Sequence, residues 1–398
     1  MKTFSTKPGM GKAPGFAHFL AASLSSLLLL TLAFPLAAQT SVNTNPCGYC
    51  DVGAFSSTNT YIGLQANSDT LVSIPFTQPP AFVGTISSVS GNVVTVNNAP
   101  NWTANQFVYA SGTQNSTYYA LLGSVSGGGT DPNQGCYYTV TANGSNTLTL
   151  SLGNDNIGSV PANTQITLIP YWTLGTLFPA SNANVSFTPS TTTRSLKTQI
   201  LIPDYTDAGI NLGSTALYFY INSGSNVGWR LFGDSITTNH SDDILNPYGY
   251  IIVRNQNSAP TLPLVTNGYV STGSQTVQLA TLTSSQQDNA AAIIQPVGVT
   301  LDNSGLSPSN GSFTASTSTR SLQDQLLFYN NSSTGINQSA SALYYYISNG
   351  SNVGWRLFGD SVTTDHGNDV IPAGSALTIR KAATNNGATV FWTSTPTY

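Results

Sequence analysis

The chain contains no glutamate. All 15 acidic residues are aspartate, and only 11 of 398 residues are Lys or Arg. Charged residues make up 7%, against roughly 25% in ordinary globular domains. Surface helices laced with Glu–Lys pairs are thereby excluded, and solubility rests on Ser, Thr, Asn and Gly. Three of the basic residues, Lys2, Lys7 and Lys12, stand at the start. The remainder sets 8 Lys and Arg against 15 Asp, a net charge of −7. Such a surface argues against nucleic acid and anionic lipid as partners. Also lacking are a phosphate-binding loop, a Gly-rich dinucleotide fingerprint, an HExxH and an EF-hand loop. No amphipathic helix is legible, whereas Thr, Val, Ile and Tyr, the residues of strands, are abundant.

There is one long apolar run, at about residues 16–36. It follows the three lysines and ends in Pro35-Leu36-Ala37-Ala38-Gln39. This is the pattern of a secretory signal peptide, 1–38, cut after Ala38. A retained anchor is the rival reading, disfavoured by the small-residue exit. With no second apolar run of about 20 residues, the mature chain is not expected to span a membrane as a helix. Cysteine is nearly absent: Cys47, Cys50 and Cys136. In an exported chain these are candidate disulfide partners. Cys47-Gly48-Tyr49-Cys50 also has the spacing of a redox motif or half a metal site, but no strand-then-helix pattern surrounds it.

What is present is a repeat. GSNVGWRLFGDS stands at 224–235 and again at 350–361, an offset of 126. At that offset Phe187 meets Phe313, Arg194 meets Arg320, Arg230 meets Arg356, Arg254 meets Arg380 and His240 meets His366. Leu217, Phe219 and Ile221 alternate with Tyr218 and Tyr220, and residues 343–347 repeat the alternation. Period-two spacing of this kind reads as strand. Upstream, Asn45 to Tyr49 and then Ser68 to Val72 resemble Asn267 to Tyr269 and then Ser274 to Val277. The next landmark comes about 100 residues late in the first copy, which implies an insertion. Within it, Ser90-Gly91-Asn92 and Asn143-Gly144 are hairpin signals. The expected fold is all-β: two duplicated β-sandwich-like units with a small β-barrel-like domain inserted in the first. The first unit is 39–79 with 170–262, the insert 80–169 and the second unit 263–398. The alternative is a more elongated stack of repeats.

The segments SDTLVSIPFTQPPAF, YYTVTANGSNTLTL, IPYWTLGTLFP, WRLFGD and YGYIIVRN together resemble an uncharacterised secreted family, found as many paralogues in verrucomicrobial bacteria. The resemblance spans nearly the whole mature chain. It implies export and a bacterial envelope setting, and it implies no catalytic residue. Cys47 and Cys50 depart from the family's pattern.

The sharpest chemical constellation is also duplicated: Arg230, Asp234, His240 and Asp243, with Arg356, Asp360, His366 and Asp369. It has three readings. One is a structural ion-pair cluster, with Arg at a strand end held by Asp in the following turn. A second is a divalent metal site, most simply Ca²⁺ through Asp oxygens and carbonyls. The third is an acid/base pair, with Gly233-Asp234-Ser235 imitating a serine hydrolase motif. A scaffold survives duplication more readily than a catalytic site does, so the chain is not expected to be an enzyme or to need a cofactor. Trp102, Trp392, Tyr118 and Tyr119 are the candidate ligand-binding aromatics, because Trp102 and Trp392 stand in Asn-, Thr- and Ser-rich segments. The expected function is that of a secreted or cell-surface structural, adhesive protein, with a glycan, another envelope polymer or further copies of the chain as the partners open to it. Binding of a glycan or other envelope polymer is the alternative, and hydrolysis comes third.

Overall fold

A computed structural model describes residues 46–55, 61–179, 187–204, 206–258 and 264–398. The expected signal peptide, 1–38, lies outside the described residues. Strand takes 43% of the chain and helix 3%, so the fold is all-β, as the composition implies.

Two antiparallel five-stranded sheets dominate. The first runs Asn226–Leu231, Ser214–Ser223, Thr198–Pro203, Tyr250–Asn255 and Ser68–Ser73 in spatial order. The second runs Asn352–Leu357, Ala342–Asn349, Gln325–Tyr329, Ala376–Lys381 and Gln287–Ala292. All but the last strand of each correspond at the offset of 126. The last strands hold equivalent places, with Asp69 opposite Arg254 and Asp288 opposite Arg380. The outer hairpin of each sheet turns on Gly224 or Gly350, both at φ 59°. No atom crowds either position. The left-handed backbone of a two-residue hairpin turn is what calls for glycine there.

Alternation along the strands makes two faces. Ile251 and Val253 enter a core with Ile200, Phe178 and Trp229. In the second copy Leu377 and Ile379 enter one with Leu326, Phe313 and Trp355. The opposite faces meet each other. Leu71, Tyr250 and Ile252 of the first sheet pack on Ala290, Tyr329 and Ala376 of the second. A further strand pair crosses between the halves, Cys47–Val52 with Leu264–Tyr269, in which Gly48 stands opposite Gly268.

Six strands between Phe82 and Pro170 close into a barrel. Around the ring they are Thr164–Pro170, Phe82–Ser90, Val93–Val96, Thr147–Ser151, Tyr137–Asn143 and Tyr118–Val125. Ile86, Val94, Leu122, Val140, Leu148 and Ile166 fill it. Both hairpin signals appear as hairpins, with Ser90 opposite Val93 and Asn143 opposite Leu148. The barrel is tied to the second half where the Thr276 N–H donates to the Gly135 carbonyl at 2.9 Å and its hydroxyl to the Gln134 carbonyl at 2.8 Å. A Cβ at Gly135 would stand 2.7 Å from the Thr276 hydroxyl, so this approach needs glycine.

Candidate functional site

The duplicated clusters form identically in both halves. His240 bridges two carboxylates, Nδ1 to Asp243 at 2.9 Å and Nε2 to Asp234 at 3.0 Å. His366 does the same with Asp369 at 2.8 Å and Asp360 at 3.0 Å. Tyr218 donates to Asp243 at 2.8 Å, and Tyr344 donates to Asp369 at 3.1 Å. An ionised carboxylate only accepts, so this geometry is complete when the ring carries both protons. Burial works against the charge on His366, but its bonds to Asp369 and Asp360 outweigh burial and raise its pKa. Asp234 and Asp360 are held below the usual carboxylate range, first by the Ser235 and Ser361 N–H groups, then by the histidines. Each cluster pins its loop onto a short helical turn. Leu174 N–H donates to the Asp243 carbonyl at 3.1 Å, and Leu301 N–H donates to the Asp369 carbonyl at 3.0 Å.

The arginines depart from expectation. Arg230 does not pair with Asp234. It is 4% exposed and donates to the carbonyls of Trp229 at 2.8 Å, Val227 at 3.4 Å and Ile236 at 2.5 Å. Arg356 binds the equivalent carbonyls and adds Asp365 at 3.2 Å, not Asp360. The reason is position. Asn226–Leu231 and Asn352–Leu357 are edge strands, whose outward carbonyls need donors, and a guanidinium folded back along the strand supplies several at once. The His240 and His366 N–H groups cap the same edges, each at 3.0 Å from the Trp229 or Trp355 carbonyl.

In these clusters the side chains do not take up a serine–histidine or a histidine–metal arrangement. Ser235 Oγ lies 2.9 Å from Thr237 Oγ1, while the His240 nitrogen that a serine would use is held by Asp234. With both ring nitrogens on carboxylates, neither offers a lone pair to a metal. Among the described residues, no group of three His, Cys, Asp or Glu side chains could hold a metal ion.

Of the expected aromatic surface, Trp102, Trp392 and Tyr119 are buried and Tyr118 is half-buried. Trp102 is 6% exposed and plugs the barrel between Phe82 and Phe107, at centroid distances of 5.0 and 5.1 Å. Trp392 is fully buried in the second core and donates to the Ser304 carbonyl at 2.8 Å. Tyr118 packs on Phe107, and Tyr119 is buried against Tyr137 and Tyr171. Polar neighbours in sequence misled here. In a half-buried strand or a barrel-closing loop, neighbours point elsewhere. The cysteines correct a further expectation. Cys47 and Cys50 sit on a strand whose exposure alternates, so a spacing of three puts them on opposite faces. Cys50 and Cys136 are free thiols. Burial raises Cys136, in the barrel core, to about 12 and Cys50 to about 11.

Two features escaped the sequence reading. The first is a reciprocal clasp between the halves. Asp69 takes Arg254 at 2.7 and 2.9 Å and accepts from the Asn337 N–H at 2.8 Å. Asp288 takes Arg380 at 2.7 and 3.0 Å and accepts from the Asn211 N–H at 2.7 Å. Asn211 and Asn337 are equivalent at the offset of 126, and each half's ion pair grips the other's loop. The signal was present in Asp69 and Asp288, each the second residue of the last strand of its sheet. The second is an ion pair buried in the second half, Lys381 with Asp324, at 1% side-chain exposure each. The first half has Asn255 and Thr198 at these positions, so comparing the copies would have found it.

No family model matches the chain, and neither do any curated proteins or solved structures. Its class is therefore defined by its own geometry: an all-β protein of two related sheets and one closed barrel.

Proposed function

We propose that the chain is an exported structural and adhesive protein of a bacterial envelope, acting by association between copies rather than by catalysis. One observation carries this reading. Some buried positions differ between the copies, as in Thr198 and Asn255 against Asp324 and Lys381, and others such as Trp229 and Trp355 are kept, while exposed apolar residues on the outer sheet edges are identical. Phe232 is 59% exposed and Phe358 is 60% exposed, and Val227 and Val353 are exposed with them. Folding does not call for an exposed phenylalanine twice. Each lies on or beside the strand of its sheet farthest from the sheet–sheet interface, so the chain is divalent. Beside Phe232, Phe219, Ile236 and Arg230 line a hollow of about 430 Å³ that admits a phenyl ring. The outward carbonyls are capped by Arg230 and Arg356. Association is therefore through side chains and not by strand addition. A divalent contact that does not close on itself propagates into a filament.

Sedimentation velocity on residues 39–398 across a concentration series tests this. Wild type forms long oligomers, Phe232→Ser and Phe358→Ser each stop at small ones, and the double variant stays monomeric. A wild type that is monomeric at every concentration refutes the reading.

A further inference from the structure

A cleft of about 450 Å³ opens where the barrel, the first half and the second half meet. That volume falls within the roughly 300–1,000 Å³ of small-molecule sites. The barrel contributes Tyr137, the first half Asp207 and Asn246, and the second half Gln278 and Ala280. No Lys, Arg or His lines it, so nothing there complements an anion. Asp288, at its base, is already matched by Arg380.

The aromatic wall is built in advance. Tyr137 is half-buried in area and locked at its hydroxyl, which donates to Asn246 Oδ1 at 3.0 Å. The Tyr248 ring abuts it edge to face, at 4.4 Å between centroids and 88° between planes. Asn246 Oδ1 accepts a second bond, from the Tyr248 N–H at 3.0 Å. Around this fixed ring stand exposed side chains with spare hydrogen-bonding capacity. Asp207 carries a carboxylate, and the Gln278 amide is engaged by one bond to Asp155 at 3.2 Å.

The two halves supply a comparison within one molecule. At the offset of 126, Asn246 corresponds to Pro372, Tyr248 to Gly374 and Asp207 to Ser333. Pro372 and Gly374 line a groove between the halves that contains Cys50, Phe328, Tyr329 and Ala373 and has no barrel residue in its wall. These differing positions, Asn246, Tyr248 and Asp207, add an aromatic ring and hydrogen-bonding groups to the cleft. Only the cleft is walled by the barrel, where Tyr137 and Tyr248 stand together.

We propose that this cleft binds a short segment of a neutral carbohydrate. A fixed aromatic ring packs against the C–H face of a sugar, and amide and carboxylate groups pair with vicinal hydroxyls. A preformed site spares the ordering cost of binding. The absence of cationic side chains selects against phosphorylated, sulfated or uronic-acid ligands.

The test is titration of residues 39–398 with neutral oligosaccharides, with uronic-acid and sulfated oligosaccharides as comparators. Pull-down on insoluble neutral polysaccharide runs in parallel, to separate free from polymer-borne sugar. Saturable binding of a neutral glycan is expected. It should weaken at least tenfold in Ala280→Trp, which fills the cleft from an exposed position, and in Gln278→Ala, which removes one hydrogen-bonding group. Either variant with wild-type thermal melting suffices for the comparison. The proposal is overturned if no neutral glycan binds, if acidic glycans bind more tightly, or if both folded variants bind like wild type.

Discussion

Asp69→Ala should be among the most damaging single substitutions in this chain. Asp69 has 2% of its side chain exposed and Arg254 has 16%, so the pair is poorly solvated. The Arg254 pKa is raised first by its hydrogen bond to Asp69, which marks that contact as favourable to the charge. Removing the carboxylate leaves a largely buried guanidinium with one partner, Asn337 Oδ1 at 2.9 Å, and strips the Asn337 N–H of its acceptor. Breaking a buried pair in this way costs about 3–5 kcal/mol. Removing both partners together, as in Asp69→Leu with Arg254→Met, leaves no charge stranded. It should cost much less, about 1 kcal/mol or under. Because the second clasp repeats the first, Asp288→Ala should match Asp69→Ala to within about 0.5 kcal/mol. Urea unfolding followed by tryptophan fluorescence measures all of these. A loss below about 1 kcal/mol for Asp69→Ala, or a large difference between the two alanine variants, refutes the reciprocal clasp as a determinant of stability.

Three other expectations follow from the same geometry. Asp324→Ala should destabilise by about 3–5 kcal/mol, whereas Asp324→Thr with Lys381→Asn, which restores the first half's residues, should recover much of that loss; urea midpoints decide it. His366 binds its proton more tightly folded than unfolded. Its contribution to stability is thus fully present below the unfolded pKa of about 6.5 and lost as pH rises through the folded value. The urea midpoint of wild type should fall over that window relative to His366→Gln, and parallel pH profiles would count against the doubly bonded ring. The Cys136 thiol, raised to about 12, should resist a thiol-specific reagent at pH 8 in the native protein and react once unfolded. Rapid modification of native Cys136 would contradict its place in the barrel core.

The all-β class was legible because strand signals are local: alternating Leu, Tyr, Phe and Ile at 217–221, and turns at 90–92 and 143–144. The duplication was legible because GSNVGWRLFGDS is written twice. The clasp was not, because its six partners come from positions 69, 211, 254, 288, 337 and 380, whose meeting depends on two sheets packing face to face. The roles of the arginines were half legible. A charge count implies that Arg254 and Arg380 meet carboxylates, but it cannot show that Arg230 and Arg356 face a row of edge carbonyls. Trp102 and Trp392 failed for a related reason. Polar neighbours along the chain report on a strand's other face or on a loop's exit, and the indoles themselves turn inward. The tyrosine cleft needed three separate stretches to converge. Its trace in the sequence is a difference between the copies, Tyr248 against Gly374, where the eye looks for likeness.

The order in which strands enter the sheets dictates an order of events as the chain emerges during synthesis. The barrel spans residues 82–170, pairs only within itself as a sheet, and can complete as soon as those residues have emerged. The strand Ser68–Ser73 cannot settle so early. Leu71 gives its N–H to Asn331 and its carbonyl accepts from the same side chain, both at 2.8 Å, and the Asp69 N–H waits for the Gly335 carbonyl. The Cys47–Val52 strand likewise waits for Leu264–Tyr269. Contacts spanning more than 200 residues are slow to form and leave apolar faces open meanwhile. The first half of this chain is therefore a guest in its own fold until the second half arrives, and a chain truncated after the barrel would be left with one finished domain and a tail of unpaired strands.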